Sequence, residues 1–392
     1  MRLEANAAPS APATLRYRLA PVENGRALNA FVRVPWTVFR GDPYWSPPML
    51  LERKQLLSAK HNPYFQHAQA RYWLATRDGE PVGRISAQVD QLVQQRMGDG
   101  TGQFGFFDCI DDKGLAQALF DEAEAWLKAH NMTRALGPFS LSINEEAGLL
   151  YDGFDQPPAI MMGHARPYYA GLVEAAGYHK AIDMYAYLLH LASTLTDKLN
   201  RTLDWGLNNK RLLLRDLDKR QWQREIASIL DIFNDAWRGN WGFVPMTDAE
   251  IAKMARDLRP LINPALARIC EYNGTPISFM ITLPDLNRMT RDLNGRLLPF
   301  GWAKLGHRLL RQRYDFVRVA LMGVRKDMQR TRHGAASSLM LIETIRRRSL
   351  AQGIVHGELS WILEDNHAMR NILEAIGCHI YKRYRIYEKP LA

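Results

Sequence analysis

Cysteine is scarce in this chain: three among 392 residues. Cys109, Cys270 and Cys378 are widely spaced and form no CxxC pair. That excludes a disulfide framework and a thiolate zinc centre, and it fits a reducing compartment. Long apolar runs are missing too, and none reaches the roughly 20 residues that a spanning helix needs. The opening MRLEANAAPSAPATLRYRL carries an Ala/Pro-rich tract but no apolar h-region, so no signal peptide is expected. Residues 1 to about 14 read as a flexible tail. These absences lead to the expectation of a cytoplasmic protein with no structural metal.

What is present supports packed cores. The apolar fraction is 47%, and the length suits two domains of ordinary size. The net charge of +10 is concentrated in one region. From Lys304 to Arg348 there are 12 Lys/Arg against 3 Asp/Glu, which leaves 39 basic and 38 acidic residues elsewhere. A local excess of this kind calls for a local anionic partner. A solvated helix face accounts for Arg346, Arg347 and Arg348 better than for Arg325, Lys326, Arg330 and Arg332.

Hydrophobic periodicity and turn signals divide the chain into two similar series. In the first, 15–21 is a strand and helical segments lie between 25 and 60. A hairpin of 70–76 and 81–89 turns at Asp78-Gly79. A strand at 103–108, a helix at 115–130, a strand at 134–139, a helix at 168–176 and an extended end at 182–189 follow. In the second, 210–218 is a strand, and 221–238 and 247–257 are helices. A hairpin of 265–272 and 275–283 turns at Asn273-Gly274. Then come a strand at 316–324, a helix from about 334 to 352 closed by Gly353, a strand at 355–362, a helix at 366–375 closed by Gly377, and two final extended pieces within 379–389. The two series join near 192–199. They share element order and little residue identity.

The most informative stretch is VRVALMGVRKDMQRTRHGAAS, Val317 to Ser337. A strand here meets a helix through a basic, glycine-bearing turn. Free N–H groups and the positive end of the helix dipole then converge on one spot, which suits a phosphate or pyrophosphate.

The second series, and above all 265–390, resembles the GNAT superfamily of acyl-CoA-dependent N-acyltransferases. In that superfamily the fourth strand is followed by a loop written Q/R-x-x-G-x-G/A that holds the CoA pyrophosphate. Here it reads Thr331-Arg332-His333-Gly334-Ala335-Ala336. Gly334 and Ala336 match; Thr331 departs, and the neighbouring Arg330 and Arg332 offer cations in its place. The resemblance implies a donor site of Met322, Gly323, Val324, Arg325, Arg330, Thr331, Arg332, His333, Gly334, Ala335, Ala336 and Ser337. Asn366, which follows the fifth strand, would contact the pantetheine arm and is also a good N-cap. The superfamily often places a Tyr acid seven residues later, where this chain has Leu373. The first series has FFDCIDDKGLAQALF after its 103–108 strand, acidic where the other is basic. The implied fold is a mixed α/β sheet in two tandem GNAT-like domains, 15–192 degenerate and 193–392 binding acyl-CoA. The segments GPFSLSINEEAGLLYDGF, ELSWILEDNHAM and YKRYRIYEKPL further resemble the bacterial ceramide synthases, which implies a long-chain sphingoid base as the amine.

Acyl transfer to an amine needs a neutral nucleophile and donors for the developing oxyanion. In a GNAT-like site, N–H groups near Met322 to Val324 face the thioester, each worth ~3 kcal/mol in the transition state. Alternation along the fifth strand puts Glu358 and Ser360 on one face, making Glu358 a candidate base; pairing with an arginine is the other reading. Asn144 and Glu145, in a polar loop, are candidates to position the amine. Met161, Met162, Phe154 and Tyr168 suit either an apolar channel or plain packing. The basic, aromatic stretch LLPFGWAKLGHRLLRQRY, 297–314, suits an anionic membrane surface or a buried amphipathic helix equally. The expected location is thus peripheral at the inner membrane. Two competing functions are an aminoacyl-tRNA-dependent transferase and a non-catalytic basic scaffold. Nucleic acid is not expected, since the basic stretch lacks an aromatic stacking motif.

Overall fold

Two turns set the architecture. Asp78-Gly79 and Asn273-Gly274 take positive φ at both residues (51° and 82°; 51° and 81°), the geometry that reverses a two-residue hairpin. They close β2 (Ala68–Arg77) on β3 (Glu80–Asp90) and β11 (Ala267–Tyr272) on β12 (Thr275–Pro284). The structure, a computed structural model, describes residues 17–311 and 314–391. The expected tail at 1–14 lies outside them, as does the start of the strand expected from residue 15.

The first half continues around this hairpin. β1 (Arg18–Pro21), α1 (Gly25–Val38) and α2 (Leu50–Leu56) precede it, and α3 (Gln91–Met97), β4 (Thr101–Cys109), α4 (Lys113–Ala129) and β5 (Arg134–Gly137) follow. The half ends with the short β6 (Phe139–Ser140), β7 (Glu146–Ala147) and β8 (Leu149–Asp152), then α5 (Tyr169–Ala175) and β9 (His179–His190). The joint expected at 192–199 runs directly into α6 (Asp197–Leu207). Gly206 lets α6 pack tightly on the helix below: a Cβ there would stand 3.0 Å from Ala336 Cβ. β10 (Leu212–Asp216), α7 (Trp222–Trp237) and α8 (Asp248–Leu258) lead to the second hairpin. After it come α9 (Leu286–Thr290), α10 (Gly301–Arg311), β13 (Phe316–Val324), α11 (Arg332–Ala351), β14 (His356–Leu363), α12 (His367–Ala375) and β15 (His379–Pro390).

One 13-stranded sheet runs through both halves in the order β1-β2-β3-β4-β5-β15-β9-β14-β13-β12-β11-β10, with β8 added on β15. The halves exchange their last strands. β9, from the first half, pairs antiparallel with β14 (Glu358↔Leu188), and β15, from the second, pairs with β5 (Tyr387↔Gly137). β15 is one strand, not the two extended pieces expected. Register shifts at Ile380/Lys382 and Ile386/Tyr387 bend it without ending its pairing to β9. Separate apolar clusters fill the first half, the α11/α12 side of the second and the α7/α8 side of the second.

Candidate active site

The parallel pair β13–β14 holds together only at its base. Phe316↔His356, Val317↔Gly357, Arg318↔Glu358 and Val319↔Leu359 are in register, and pairing then stops. β13 goes on to Val324 against β12, while β14 goes on to Leu363 against β9. A bulge helps to part them: β12 skips from Ile281↔Leu321 to Thr282↔Val319, leaving Ala320 without a partner. Gly323 and Arg325 bond toward β12, so Met322 and Val324 turn their backbone toward the gap. Their carbonyls accept from Trp237 Nε1 (3.3 Å) and Gln329 Nε2 (3.0 Å), which leaves their N–H groups to face it.

The basic bend lies at the open end. Thr331 caps α11, its hydroxyl accepting from Gly334 N–H (3.1 Å) and its carbonyl from Ala335 N–H (3.1 Å). Among the described residues, the N–H groups of Arg330, Arg332 and His333 make no hydrogen bond. They sit at the positive end of a 20-residue helix. Gly334 is needed by the bend itself, because a Cβ there would lie 2.0 Å from Met328 O. The Arg332 guanidinium stacks 4.1 Å over Trp205, and the His333 ring lies 4.6 Å from Tyr272 and 5.2 Å from Trp205. The fold thus supplies the aromatics that the basic stretch lacks in sequence. Arg330 and Ala335 are exposed, and Ala336 is buried against α6. Two expected contacts are already spent. The buried Ser337 hydroxyl donates to Gly334 O (2.9 Å), because the second helical turn faces the core. Arg325 is held by Asp231 of α7 and donates to Pro276 O (2.9 Å). Asn366 caps α12, accepting from Met369 N–H (3.1 Å).

The floor of the gap is a buried polar cluster. Glu358, 0% exposed, accepts from Ser360 Oγ (2.5 Å) and from the Tyr381 hydroxyl. Arg318 Nε is 3.5 Å from the same carboxylate and donates to Ser360 Oγ (2.9 Å). Glu358 and Ser360 do share a face, and the arginine pairing is present. A segment of the first half lies over this cluster, and its carbonyls are clamped in sequence. Lys382 donates to Pro157 O, Asn287 to Pro158 O (3.2 Å) and Ala159 O (2.9 Å), and Arg318 to Ile160 O (3.0 Å). Met162 Sδ then touches Ser360 Oγ at 3.5 Å. Burial pushes Lys382 down to about 8 and the nearby Asp285 carboxyl up to about 7. Burial and the Glu358 charge push the Tyr381 phenol upward. Sequence reasoning missed Arg318, Tyr381, Lys382, Asp285 and Asn287. Arg318 did leave a signal, a charge inside an apolar strand.

Asn144 and Glu145 sit in the β6–β7 loop, where Asn144 Nδ2 donates to Val244 O (3.3 Å). The loop packs on the α7–α8 connection: a Cβ on Gly242 would lie 3.0 Å from Ile143 Cδ1. Burial and the neighbouring Glu52 raise the Glu145 carboxyl to about 7, and it makes no side-chain hydrogen bond among the described residues. No hydrogen bond or ion pair among those residues joins Asn144 or Glu145 to the Glu358 cluster. A cavity of ≈ 110 Å³ is lined by Glu146, next in the chain to Glu145, by Ser140 and Arg84, and by Met162, which touches Ser360.

The first half repeats the divergence and then closes it. β4–β5 pairing stops at Gln103↔Leu136, and Phe106 bulges with φ 45°. The chain's own Phe139 fills the gap: a Cβ on Gly105 would lie 1.6 Å from Phe139 O. Gln88 Nε2 fixes the plug by donating to Phe139 O (2.7 Å). At the following helix the cap is Asp112, a carboxylate that accepts from Leu115 N–H (3.0 Å) and pairs with Arg77 (2.6 Å).

No protein-family model matches the chain. It is 42% identical over 373 residues to the bacterial ceramide synthase of Caulobacter vibrioides, covering 95% of this chain and 97% of that one. It is 43% identical over 369 residues to protein YghO of Escherichia coli, covering 94% of each. Among solved structures, a tandem GNAT protein from the clavulanic acid biosynthesis pathway superposes with a TM-score of 0.55 at 12% identity, covering 96% of this chain and 99% of that one. A GCN5-related N-acetyltransferase from Sphaerobacter thermophilus gives 0.50 at 14% identity, with 96% of each covered. At these identities the two solved structures speak for the fold alone.

Proposed function

We propose, for a chain that belongs to the GNAT superfamily of N-acyltransferases and groups with the Caulobacter ceramide synthase and YghO, that it moves an acyl group from a CoA thioester to a primary amine. The amine is a long-chain sphingoid-type base, collected at an anionic membrane surface. The observation that carries this reading is the open β13–β14 gap. It has free, cation-flanked N–H groups at one end and the Glu358 cluster at the other.

The residues present fit the donor. The N–H groups of Arg330, Arg332 and His333 meet the pyrophosphate, and Arg330 and Arg332 supply charge. The gap-facing N–H groups of Met322 and Val324 hold the pantetheine arm, and Asn366 flanks it. An N–H from this stretch then faces the thioester oxygen, where negative charge develops. The neutral amine attacks the thioester carbonyl, and Glu358 accepts the proton that the resulting ammonium of the tetrahedral intermediate gives up. Tyr381, hydrogen-bonded to Glu358, is placed to return a proton to the departing thiolate, the task left open by Leu373. Arg318 and Ser360 hold the Glu358 carboxylate in place. Asn144 and Glu145 orient the polar head of the amine from the first half.

Thermal shift with palmitoyl-CoA, acetyl-CoA and bulk tRNA tests the donor class, and mass detection of an N-acylated long-chain base tests the product. Stabilisation by tRNA alone, or no acylated amine with any CoA thioester, refutes the reading.

A further inference from the structure

Large apolar side chains are left in water on one face of this protein. Leu298 is 78% exposed, Phe300 78%, Trp302 62% and Leu310 87%. All belong to α10 and the loop before it, and α10 buries none of its residues. Leu51, 57% exposed, adjoins them, since Leu50 N–H donates to Gly295 O (3.0 Å). A patch this apolar on a projecting element marks an interaction surface.

The charges around it say what covers it. From 286 to 311 the chain has six Lys/Arg and one acid, Asp292. Lys304 and Arg308 both pair with that acid and Arg288 pairs with Asp285, leaving Arg291, Arg296 and Arg311 as exposed cations around the apolar tip. A two-fold contact with a second copy would set this basic rim against itself. An anionic lipid surface instead takes the apolar tip into its acyl boundary and the rim into its headgroups. Among the described residues no helix is long and apolar enough to cross a membrane, so the contact is peripheral.

We propose that the loop from Arg296 and helix α10 dock the protein on an anionic bilayer. This rests on the acyltransferase reading, because the docked face adjoins the site. A cleft of ≈ 690 Å³ beside α10 is lined by Arg308, Met289, Tyr314 and Phe316 and by the charged Asp285 and Arg288. Asp285 N–H donates to Phe316 O (3.3 Å), and Phe316 lies opposite His356, two residues before Glu358. A base held in the bilayer therefore meets a cleft leading toward the polar cluster.

The test is sedimentation of the full chain with phosphatidylcholine vesicles, plain or one-third phosphatidylglycerol. A second arm follows acylation of a vesicle-borne long-chain base and of a short, water-soluble amine. The expected result is binding only to the anionic vesicles, weakened by salt. In the variant Phe300→Ser with Trp302→Ser, binding falls by more than about tenfold per residue. Acylation of the vesicle-borne base falls with it, while that of the soluble amine is unchanged. Equal vesicle binding by variant and parent overturns the proposal, as does no binding by the parent. Light scattering that finds a dimer abolished by the variant overturns it in favour of self-association. A parent that binds vesicles but acylates neither amine leaves the docking surface standing and removes the acyltransferase reading.

Discussion

Replacing Thr331 by Asp separates the stability of the bend from its task. Thr331 now caps α11 with a neutral hydroxyl, 3.1 Å from Gly334 N–H. Aspartate caps at least as well and adds a favourable charge at the helix N-terminus, worth ~0.3–1 kcal/mol. The melting temperature of the ligand-free variant should therefore hold or rise slightly. Donor binding should move the opposite way. A phosphate on the adjacent Arg332 and His333 N–H groups would lie ~6 Å from the new carboxylate, and at an effective dielectric of ~20 each pair of charges costs ~2–3 kcal/mol. Salt trims this at an exposed site, so the dissociation constant for CoA should rise about ten- to a hundredfold. Calorimetric titration with CoA measures it, with Thr331→Ser as the neutral control. A Thr331→Asp protein that binds CoA within about threefold of the parent would refute the placement of the pyrophosphate.

The remaining expectations use the same geometry. Arg330→Ala should weaken CoA binding by about three- to tenfold in the same titration, while Arg325→Ala, whose guanidinium already serves Asp231, should change it less. Glu358→Gln should lower kcat by about a hundredfold or more. It should also cost ~3–5 kcal/mol in urea denaturation, since Arg318 is then buried without its counter-charge. Tyr381→Phe should lower kcat with little change in the urea midpoint. Glu145, raised to about 7, holds a proton in the folded state that the unfolded chain has released. Stability should therefore fall as pH rises from about 4.5 to about 7, with the penalty complete above that. Glu145→Gln should melt higher than the parent at about pH 8 and coincide with it at about pH 4.5. A fragment of residues 193–392 should show no cooperative unfolding by circular dichroism, because every strand that flanks β15 comes from the first half.

Local chemistry was legible in the sequence and long-range exchange was not. Asp78-Gly79, Asn273-Gly274, Gly353 and Gly377 each adopt the positive φ that their turns and helix ends require, so the elements between them could be read off. The strand–bend–helix of 316–351 was legible for the same reason. Nothing in a local window tells that His379–Pro390 inserts beside Arg134–Gly137, since the pairing joins residues some 250 positions apart. Tyr381 and Lys382 were missed with it. Arg325 and Ser337 were read as ligand contacts because their partners, Asp231 and Gly334 O, are set by packing. The polar run of α6 hid a helix whose Trp205 matters only once it lies beneath Arg332.

Strand exchange gives the closed lobe a purpose. Its own gap is filled by Phe139 and its helix end is capped by the Asp112 carboxylate. Yet it supplies β9 as a partner for β14, and it supplies the four carbonyls of Pro157 to Ile160. Those oxygens take hydrogen bonds from the half-buried Asn287 and from Arg318 and Lys382, two cations that the other lobe buries. Without them Lys382 would lose the Pro157 carbonyl and Arg318 would be left with Glu358 and Ser360, an unfavourable arrangement for two buried cations. The plugged half therefore completes the polar cluster around Glu358. A change that loosens it, such as Gly105→Ala pressing on Phe139, would reach Glu358 through the backbone that both share.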